Sequence, residues 1–226
     1  NLAEEFVNMF IGHGGEFFKA GTAVPNINNA NGVATLNMLK KLASLSNPDY
    51  LTHDSEAIKV EWESGKVALM TLWASRSGTL LDDEGDAKIT AATKLTGPAT
   101  VGGGNIPAAT LWWDGFTLAK NRSDSDAEAS FIALAHAASN KKMVADAADQ
   151  AVWLVEGFVP GPKSIGVIEA VKMGAKPYPM LPQMGLMHGA LGSEIVEFLQ
   201  GKESAEQALK DVEAAYISKA KEQGFL

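Results

Sequence analysis

Residues 184–222, with the sequence MGLMHGALGSEIVEFLQGKESAEQALKDVEAAYISKAKE, are the stretch that decides the fold. Apolar residues recur there every three or four positions, first between Leu191 and Leu199 and then between Ala205 and Tyr216. This spacing predicts two amphipathic helices, Met184 to Gln200 and Ser204 to about Glu222. Because only a few residues connect them, we expect the two helices to be antiparallel neighbours.

More helices are predicted upstream of this pair. Asn29 and Asp54 are suitable N-cap residues, and Ser125 with Glu128 three positions later forms a capping box. The predicted helices are Leu2 to Ile11, Ala30 to about Leu45, Ser55 to about Glu63, Ser125 to Ala138, about Lys141 to Asp149, and Lys163 to Met173.

Strand signals are few. The uncharged run Val67 to Leu72 is typical of a buried strand, and Ile89 to Ala92 and Gly115 to Ala119 are shorter candidates. The stretch from Thr96 to Thr110, rich in Gly, Pro and Thr, predicts a loop or crossover. A self-sufficient doubly wound domain has about five or six strands, so this chain has a strand deficit.

Composition identifies a globular chain and excludes several classes. The chain has 226 residues, of which 46% are hydrophobic and 20% charged, enough for one large domain or two small ones. Its net charge of -8 argues against a nucleic-acid partner. The absence of cysteine excludes disulfides, cysteine nucleophiles and thiolate metal sites.

Motifs for catalysis, metals or membranes are absent from the sequence. No HExxH, GxSxG or P-loop pattern occurs, the acidic run at residues 82–86 fails the EF-hand template, and Gly102 to Gly104 precede no helix. We therefore expect neither a metal nor a cofactor. No uncharged run is long enough to span a bilayer. Because the sequence starts at Asn1 without a signal peptide, we expect any targeting segment to lie outside it.

The tryptophans carry the functional signal. Four of the five fall at the ends of predicted elements beside Gly, Pro or turn residues, namely Trp73, Trp112, Trp113 and Trp153. Exposed indoles suit pyranose rings, which have apolar faces and hydroxylated edges. The nearby Arg76, Asp114 and Glu156 could hydrogen-bond vicinal hydroxyls. The alternative is that these indoles are ordinary core residues.

Four stretches, taken together, are similar to those of a known family. They are 14–45, 63–73 (ESGKVALMTLW), 115–131 (GFTLAKNRSDSDAEASF) and 178–209, which begins YPMLPQM. In this order they resemble the C-terminal part of the sugar-binding solute-binding proteins of ABC importers, the group that includes maltose-binding protein. The stretch Leu111 to Gly115 (LWWDG) is most similar to binders of α-glucosides.

The resemblance implies an α/β fold of the periplasmic-binding-protein type (type II), in which two lobes close on a ligand about a hinge. Residues 1–105 and 164–226 would form the helix-rich C-terminal lobe. Residues 106–163 would form the crossover and a returning part of the N-terminal lobe, most of which this sequence lacks. We then expect uncovered apolar surface on Phe116, Leu118, Phe131 and Leu134, unless a second copy dimerises over it or the segment repacks.

The resemblance also implies the position of the ligand site. The ligand-facing aromatic residues of the family correspond to Trp73 and to the Trp112-Trp113-Asp114 segment. His188 stands where the family has another aromatic residue, and it could hydrogen-bond a hydroxyl instead of stacking, or else be a partly buried helix residue. We add Arg76, Glu156 and Tyr178 to the candidate ligand site because they lie near these residues in the sequence.

The function implied is non-catalytic. The protein would be a periplasmic receptor that captures a di- or oligosaccharide and delivers it to the membrane permease subunits of an ABC importer. Two alternatives remain open at this point. One is a binder of the same fold for a polyamine, peptide or metal, for which the acidic balance would suit a cationic ligand. The other is a glycosidase that uses Asp82, Asp114 or Glu156 as paired carboxylates.

Overall fold

The structure, a computed structural model, describes residues 2–82, 85–145, 148, 150, 152–153 and 155–226, with the backbone alone at 140, 142 and 143. The chain divides into two compact units. The first comprises Asn1–Ile58, Pro98–Leu111 and Ala170–Leu226, and the second comprises Lys59–Gly97 and Trp112–Glu169. The two units group residues that contact one another, whereas the predicted lobes are defined by a hinge. The predicted lobe boundaries therefore stay a prediction.

Helices make up most of the regular structure. Within the described residues they are α1 (Leu2–Gly12), α2 (Ala30–Ala43), α3 (Ser55–Glu63), α4 (Ala74–Ser77), α5 (Ala87–Ala92), α6 (Asp124–Ala137), α7 (Asn140–Ala145), α8 (Ile165–Lys172), α9 (Met184–Leu199) and α10 (Ala205–Glu222). None of the described helices combines the length and apolarity needed to cross a membrane.

The core of the first unit lies among α1, α2, α9 and α10, which pack against one another. Its fully enclosed side chains include Phe6, Phe10, Leu36, Leu191, Ile195, Leu209 and Tyr216. Two polar contacts tie the loop before α2 to α10: the Tyr216 hydroxyl donates to the Ala23 carbonyl at 2.7 Å, and Glu213 accepts from the Ile27 and Asn28 amides at 3.0 Å. The two predicted C-terminal helices are confirmed as this packed pair.

Capping side chains set the starts of several helices. Asn29 accepts from the amides of Asn31 and Gly32, and Asp54 accepts from the amide of Glu56, as the sequence predicts. The predicted N-cap of α6, Ser125, is wrong, because the helix begins earlier, at Asp124. Ser123 is the N-cap and accepts from the amide of Asp126, so the helix begins before the expected capping box at Ser125.

The predicted strands do not form in the described residues. The strands present there are β1 (Thr110–Leu111) and β2 (Lys176–Pro177), which pair in parallel with Thr110 opposite Lys176. The run Val67 to Leu72 lies outside any ladder, with Leu69 90% exposed, and Gly115 to Ala119 is likewise exposed. Ile89 to Ala92 belongs to α5, since the Asp86 carboxylate accepts from the Lys88 amide and caps a helix there.

The second unit buries much less of its apolar surface. Phe116 is 71% exposed and Phe131 is 64% exposed, as expected, and Leu118 is also exposed, whereas Leu134 is half-buried. The unit does contain specific contacts, such as the bond from the Trp62 indole N–H to the Thr93 hydroxyl at 2.9 Å. Two members of the acidic run, Asp83 and Glu84, and the end of the helix predicted at residues 141–149 lie outside the described residues.

Candidate functional site

The predicted site residues fall into two groups, one in each unit. The first unit holds Tyr178 and His188. The second unit holds the remaining six, namely Trp73, Arg76, Trp112, Trp113, Asp114 and Glu156. Each group is described within its own unit.

Trp73 and Trp112 form an aromatic pair in the second unit. Their ring centroids are 5.6 Å apart and the ring planes are inclined by 77°, an edge-to-face arrangement favoured by the ring quadrupoles. Trp73 lies at the N-cap of α4, where its carbonyl oxygen accepts from the Arg76 and Ser77 amides. Trp73 is half-buried and Trp112 is 41% exposed, so the pair presents apolar ring surface to solvent.

Trp113, the next residue along, is 70% exposed. Its ring lies over Gly115, where a Cβ atom would be 2.8 Å from the ring carbon Cη2, so the ring position depends on a glycine there. Trp112 and Trp113 are thus both open indole surfaces, and neither is enclosed core. The interpretation of these two residues as ordinary core is therefore wrong.

The polar residues of the predicted site in the second unit are exposed. Arg76 lies on α4, close to Trp73 in the chain, and Glu156 lies in a turn. Among the described residues, neither Asp114 nor Glu156 makes a hydrogen bond or an ion pair. The structure therefore brings the rings of Trp73 and Trp112 into contact and places Arg76 on α4, the helix that follows Trp73. Asp114 and Glu156 are exposed polar groups.

In the first unit, Tyr178 and His188 are in direct contact. The Tyr178 hydroxyl lies 3.1 Å from Nδ1 of His188, and the ring centroids are 6.0 Å apart. A carboxylate oxygen of Glu4 lies 4.0 Å from the same nitrogen. The Glu4 side chain is only 7% exposed, whereas that of His188 is 35% exposed. A buried acid therefore lies behind a partly open imidazole.

The short sheet holds this cluster in position. The Tyr178 amide donates to the Leu111 carbonyl at 3.0 Å, directly after the β1 and β2 pairing. Thr110 on β1 directs its hydroxyl to Asn8 at 2.8 Å and lies 3.4 Å from Glu4. The polar cluster, defined as Glu4, Asn8, Thr110, Tyr178 and His188, thus draws on α1, α9 and the sheet.

Electrostatics keep both rings of the cluster in their neutral forms at neutral pH. Burial, reinforced by the negative charge of Glu4, raises the pKa of Tyr178 to about 12. Burial lowers the pKa of His188 below its ordinary value, because the imidazolium ion is poorly solvated there. A neutral phenol and a neutral imidazole can each donate one hydrogen bond and accept another, which suits a hydroxylated ligand.

Sequence reasoning missed Glu4, Asn8 and Thr110. Glu4 is in the first turn of α1, where an acidic residue usually faces solvent and interacts with the helix dipole. The available signal was its spacing, since Glu4 precedes the buried Val7 and Ile11 by three and seven positions and so shares their face. An acid on an apolar face indicates a buried polar contact.

A cavity of about 650 Å³ lies elsewhere in the second unit, lined by Thr117, Leu118, Ala119, Arg122, Asp126, Ala129 and Ser130. None of the predicted site residues lines it. In the part of the chain that the structure describes, no group of three or more His, Asp or Glu side chains is placed to hold a metal ion.

Comparison with known proteins identifies the fold. No protein-family profile and no curated protein sequence matches the chain. Among solved structures, maltose-bound MalE3 of T. maritima matches with a TM-score of 0.77 and 17% identity over 95% of this chain and 56% of that one. The maltose/maltodextrin-binding domain MalE from Bdellovibrio bacteriovorus, bound to maltotriose, matches with a TM-score of 0.73 and 16% identity over 96% of this chain and 57% of that one.

At this level of identity the likeness shows the fold alone. The predicted fold class is confirmed: the chain has the fold of the MalE-type periplasmic binding proteins. It spans little more than half the length of each matched structure.

Proposed function

We propose that the chain is the sugar-binding part of a non-catalytic solute-binding protein that captures a di- or oligosaccharide. The observation that carries this proposal is the edge-to-face pair of Trp73 and Trp112, which lies next to the exposed Trp113 in the second unit. Trp112 and Trp113 expose large apolar rings, and apolar surface of this kind is often covered by a ligand or a partner. The fold, which the chain shares with maltose-bound and maltotriose-bound proteins, supports the same ligand class.

The binding chemistry follows from these side chains. Sugar faces stack on the indoles of Trp73 and of Trp112 or Trp113, while Arg76, Asp114 and Glu156 hydrogen-bond the ring hydroxyls. Within the first unit, Tyr178 and His188 offer neutral donors and acceptors that suit hydroxyl groups. Closure of two lobes over the ligand excludes water and strengthens these bonds.

The finer features of the proposal concern the ligand linkage, the location and the partners. The Leu111 to Gly115 stretch favours α-linked glucosides. The protein acts outside the cytoplasm and delivers its ligand to the membrane permease subunits of an ABC importer. Residues 1–105 and 164–226 form its C-terminal lobe, and residues 106–163 form the crossover and a returning part of the N-terminal lobe.

Calorimetric titration tests the proposal. We expect maltose or maltotriose to bind the complete protein, and Trp73→Ala or Trp113→Ala to weaken binding by about 1 kcal/mol or more, the scale of an anchoring aromatic side chain. Trp62→Phe is the control. Trp62 lies within α3 and its indole N–H donates to the Thr93 hydroxyl, so we expect this change to leave the sugar affinity unaltered. Unchanged sugar affinity in both alanine variants would show that Trp73 and Trp113 do not contact the ligand.

Two further measurements separate the alternative functions. A thermal-shift screen of maltose, maltotriose, cellobiose and spermidine distinguishes a sugar binder from a binder of cationic ligands, because a ligand that binds only the folded protein raises its Tm. Incubation with a chromogenic α-glucoside tests for glycosidase activity. If the glucoside is hydrolysed and the hydrolysis is lost in Asp114→Asn or Glu156→Gln, the protein is a glycosidase and the proposal of a non-catalytic binder is wrong.

A further inference from the structure

The polar cluster of the first unit contains a carboxylate that the proposed sugar contacts do not use. Glu4 is almost fully buried, with a side chain only 7% exposed. A carboxylate in such a place is costly unless hydrogen bonds or opposite partial charges surround it. The groups near it include the Thr110 hydroxyl at 3.4 Å and Nδ1 of His188 at 4.0 Å. Glu4 is therefore placed to act on the imidazole.

The contact between Tyr178 and His188 permits two proton arrangements. Either the Tyr178 hydroxyl donates to a bare Nδ1, or a protonated Nδ1 donates to the Tyr178 oxygen. In the first arrangement the nitrogen that carries the lone pair lies 4.0 Å from a carboxylate oxygen of Glu4, and the two like partial charges repel each other. In the second arrangement the same nitrogen carries a proton, and the N–H group attracts the carboxylate. The position of Glu4 therefore favours a neutral imidazole with its proton on Nδ1.

The other ring nitrogen is open. Among the described residues Nε2 of His188 has no hydrogen-bond partner, and it is not enclosed, in contrast to Nε2 of His13, which is buried without one. With the proton on Nδ1, Nε2 carries a lone pair that faces out of the cluster. It is then an acceptor and can take a hydrogen bond only from a donor group.

We propose that Glu4 is a positioning residue that fixes the Nδ1–H tautomer of neutral His188, so that Nε2 accepts a hydrogen bond from a hydroxyl group of the ligand. The tautomer depends only on this chain, whereas the role of Nε2 rests on the proposed sugar-binding function. His188 thus selects ligands that offer a hydroxyl donor at this point, and a methyl ether or an acceptor-only group there is rejected.

Nitrogen-15 NMR of the histidine rings in the full chain without ligand tests the tautomer directly. We expect a protonated-type signal at Nδ1 and an unprotonated-type signal at Nε2 of His188. In Glu4→Gln the charge is lost and the amide can donate to Nδ1, so we expect the proton to move to Nε2. Glu5→Gln, with the same charge change one residue away on α1, should leave the tautomer unchanged. A wild-type proton on Nε2, or the same tautomer in Glu4→Gln, would overturn the proposal.

Tyr178→Phe provides a second variant if Glu4→Gln does not fold. It removes the hydroxyl that could donate to a bare Nδ1 and leaves Glu4 in place, so we expect the proton to stay on Nδ1, whereas a proton found on Nε2 in this variant would contradict the role of Glu4. With sugar present, we expect Glu4→Gln to bind maltose about three- to tenfold more weakly, the loss of one hydrogen bond. Maltose affinity that survives the loss of the tautomer contradicts the ligand role of Nε2. If no sugar binds the wild type, the proposed function fails and the spectrum of the free chain still decides the role of Glu4.

Discussion

His188 makes the stability of the first unit depend on pH. Burial lowers its pKa in the folded chain below the value of about 6.5 that holds in the unfolded chain. The unfolded chain therefore binds this proton more tightly. The contribution of His188 to the free energy of unfolding is complete above about pH 6.5 and is lost as the pH falls through the lowered folded value. The titratable side chains near its ring include Glu4 from α1 and Tyr178.

Denaturant unfolding between about pH 5 and pH 8 measures this dependence. We expect the His188→Asn variant to lose less stability than the wild type as the pH falls through this range. His136→Asn serves as the control, since His136 is exposed near the end of α6 in the second unit. Parallel stability curves for the wild type and His188→Asn would show that this imidazole is not the group responsible.

Single residues also show how far the candidate site can be predicted. Trp112 and Trp113 were identifiable because neighbours on an extended segment point to opposite faces, which predicts that one of the two indoles is partly exposed; both are exposed. Glu4 was not identifiable by composition, because a helix of this kind usually starts with solvated acids. Its burial arises from β1 and α9, which come from distant parts of the sequence. The spacing of Glu4 places it on the buried face of α1, but no local pattern identifies the partners that it meets there.

At the level of elements, a close approach of loop and helix fixes α2. A Cβ atom at Gly32 would overlap the carbonyl oxygen of Ile27 and lie 2.9 Å from Cδ1 of Leu209. We expect Gly32→Ala to lower the free energy of unfolding by about 1 to 3 kcal/mol, since overpacking displaces either the loop or α10. Denaturant unfolding measures the loss.

A glycine in an open part of another helix provides the matched control. Gly189 on α9 is exposed, and a Cβ there would have nothing within 4 Å. Gly189→Ala should therefore stabilise the chain by about 0.5 to 1 kcal/mol through helix propensity. A Gly32→Ala variant as stable as the wild type would show that the Ile27 loop does not press on α2.

The elements differ in how well the sequence predicts them, and the reason is physical. A helix satisfies its hydrogen bonds within one segment, so apolar spacing predicts α10, and apolar spacing together with the cap at Asn29 predicts α2. A strand needs a partner. Val67 to Leu72 and Gly115 to Ala119 have strand composition, yet in the described residues neither pairs with another segment. Ile89 to Ala92 shows the reverse case, in which a cap at Asp86 outweighs β-branched composition.

At the level of the whole molecule, apolar burial is unevenly distributed. The extended hydrophobic core belongs to the first unit. In the second unit Leu69 is 90% exposed, and Phe116, Phe131 and Ile132 are exposed as well. Apolar surface of this kind tends to be covered by association. We therefore predict that the chain alone associates with a second copy.

Sedimentation velocity over a range of concentrations tests this self-association. We expect a dimer fraction that grows with concentration and falls in a Phe116→Ser, Phe131→Ser double variant, because the change removes apolar area from the second unit. Leu45→Ser changes an exposed leucine in the first unit and should have little effect. A single monomeric boundary at the highest concentration would contradict the prediction.

The Trp73–Trp112 pair also provides an intrinsic optical signal. Two indoles with centroids 5.6 Å apart, inclined by 77°, couple their electronic transitions, and this coupling depends steeply on both separation and angle. A ligand that changes the separation or the angle of the two rings must alter the circular dichroism and the tryptophan fluorescence of the chain. Binding of the proposed sugar to this ring pair can therefore be followed from these two signals without an added label.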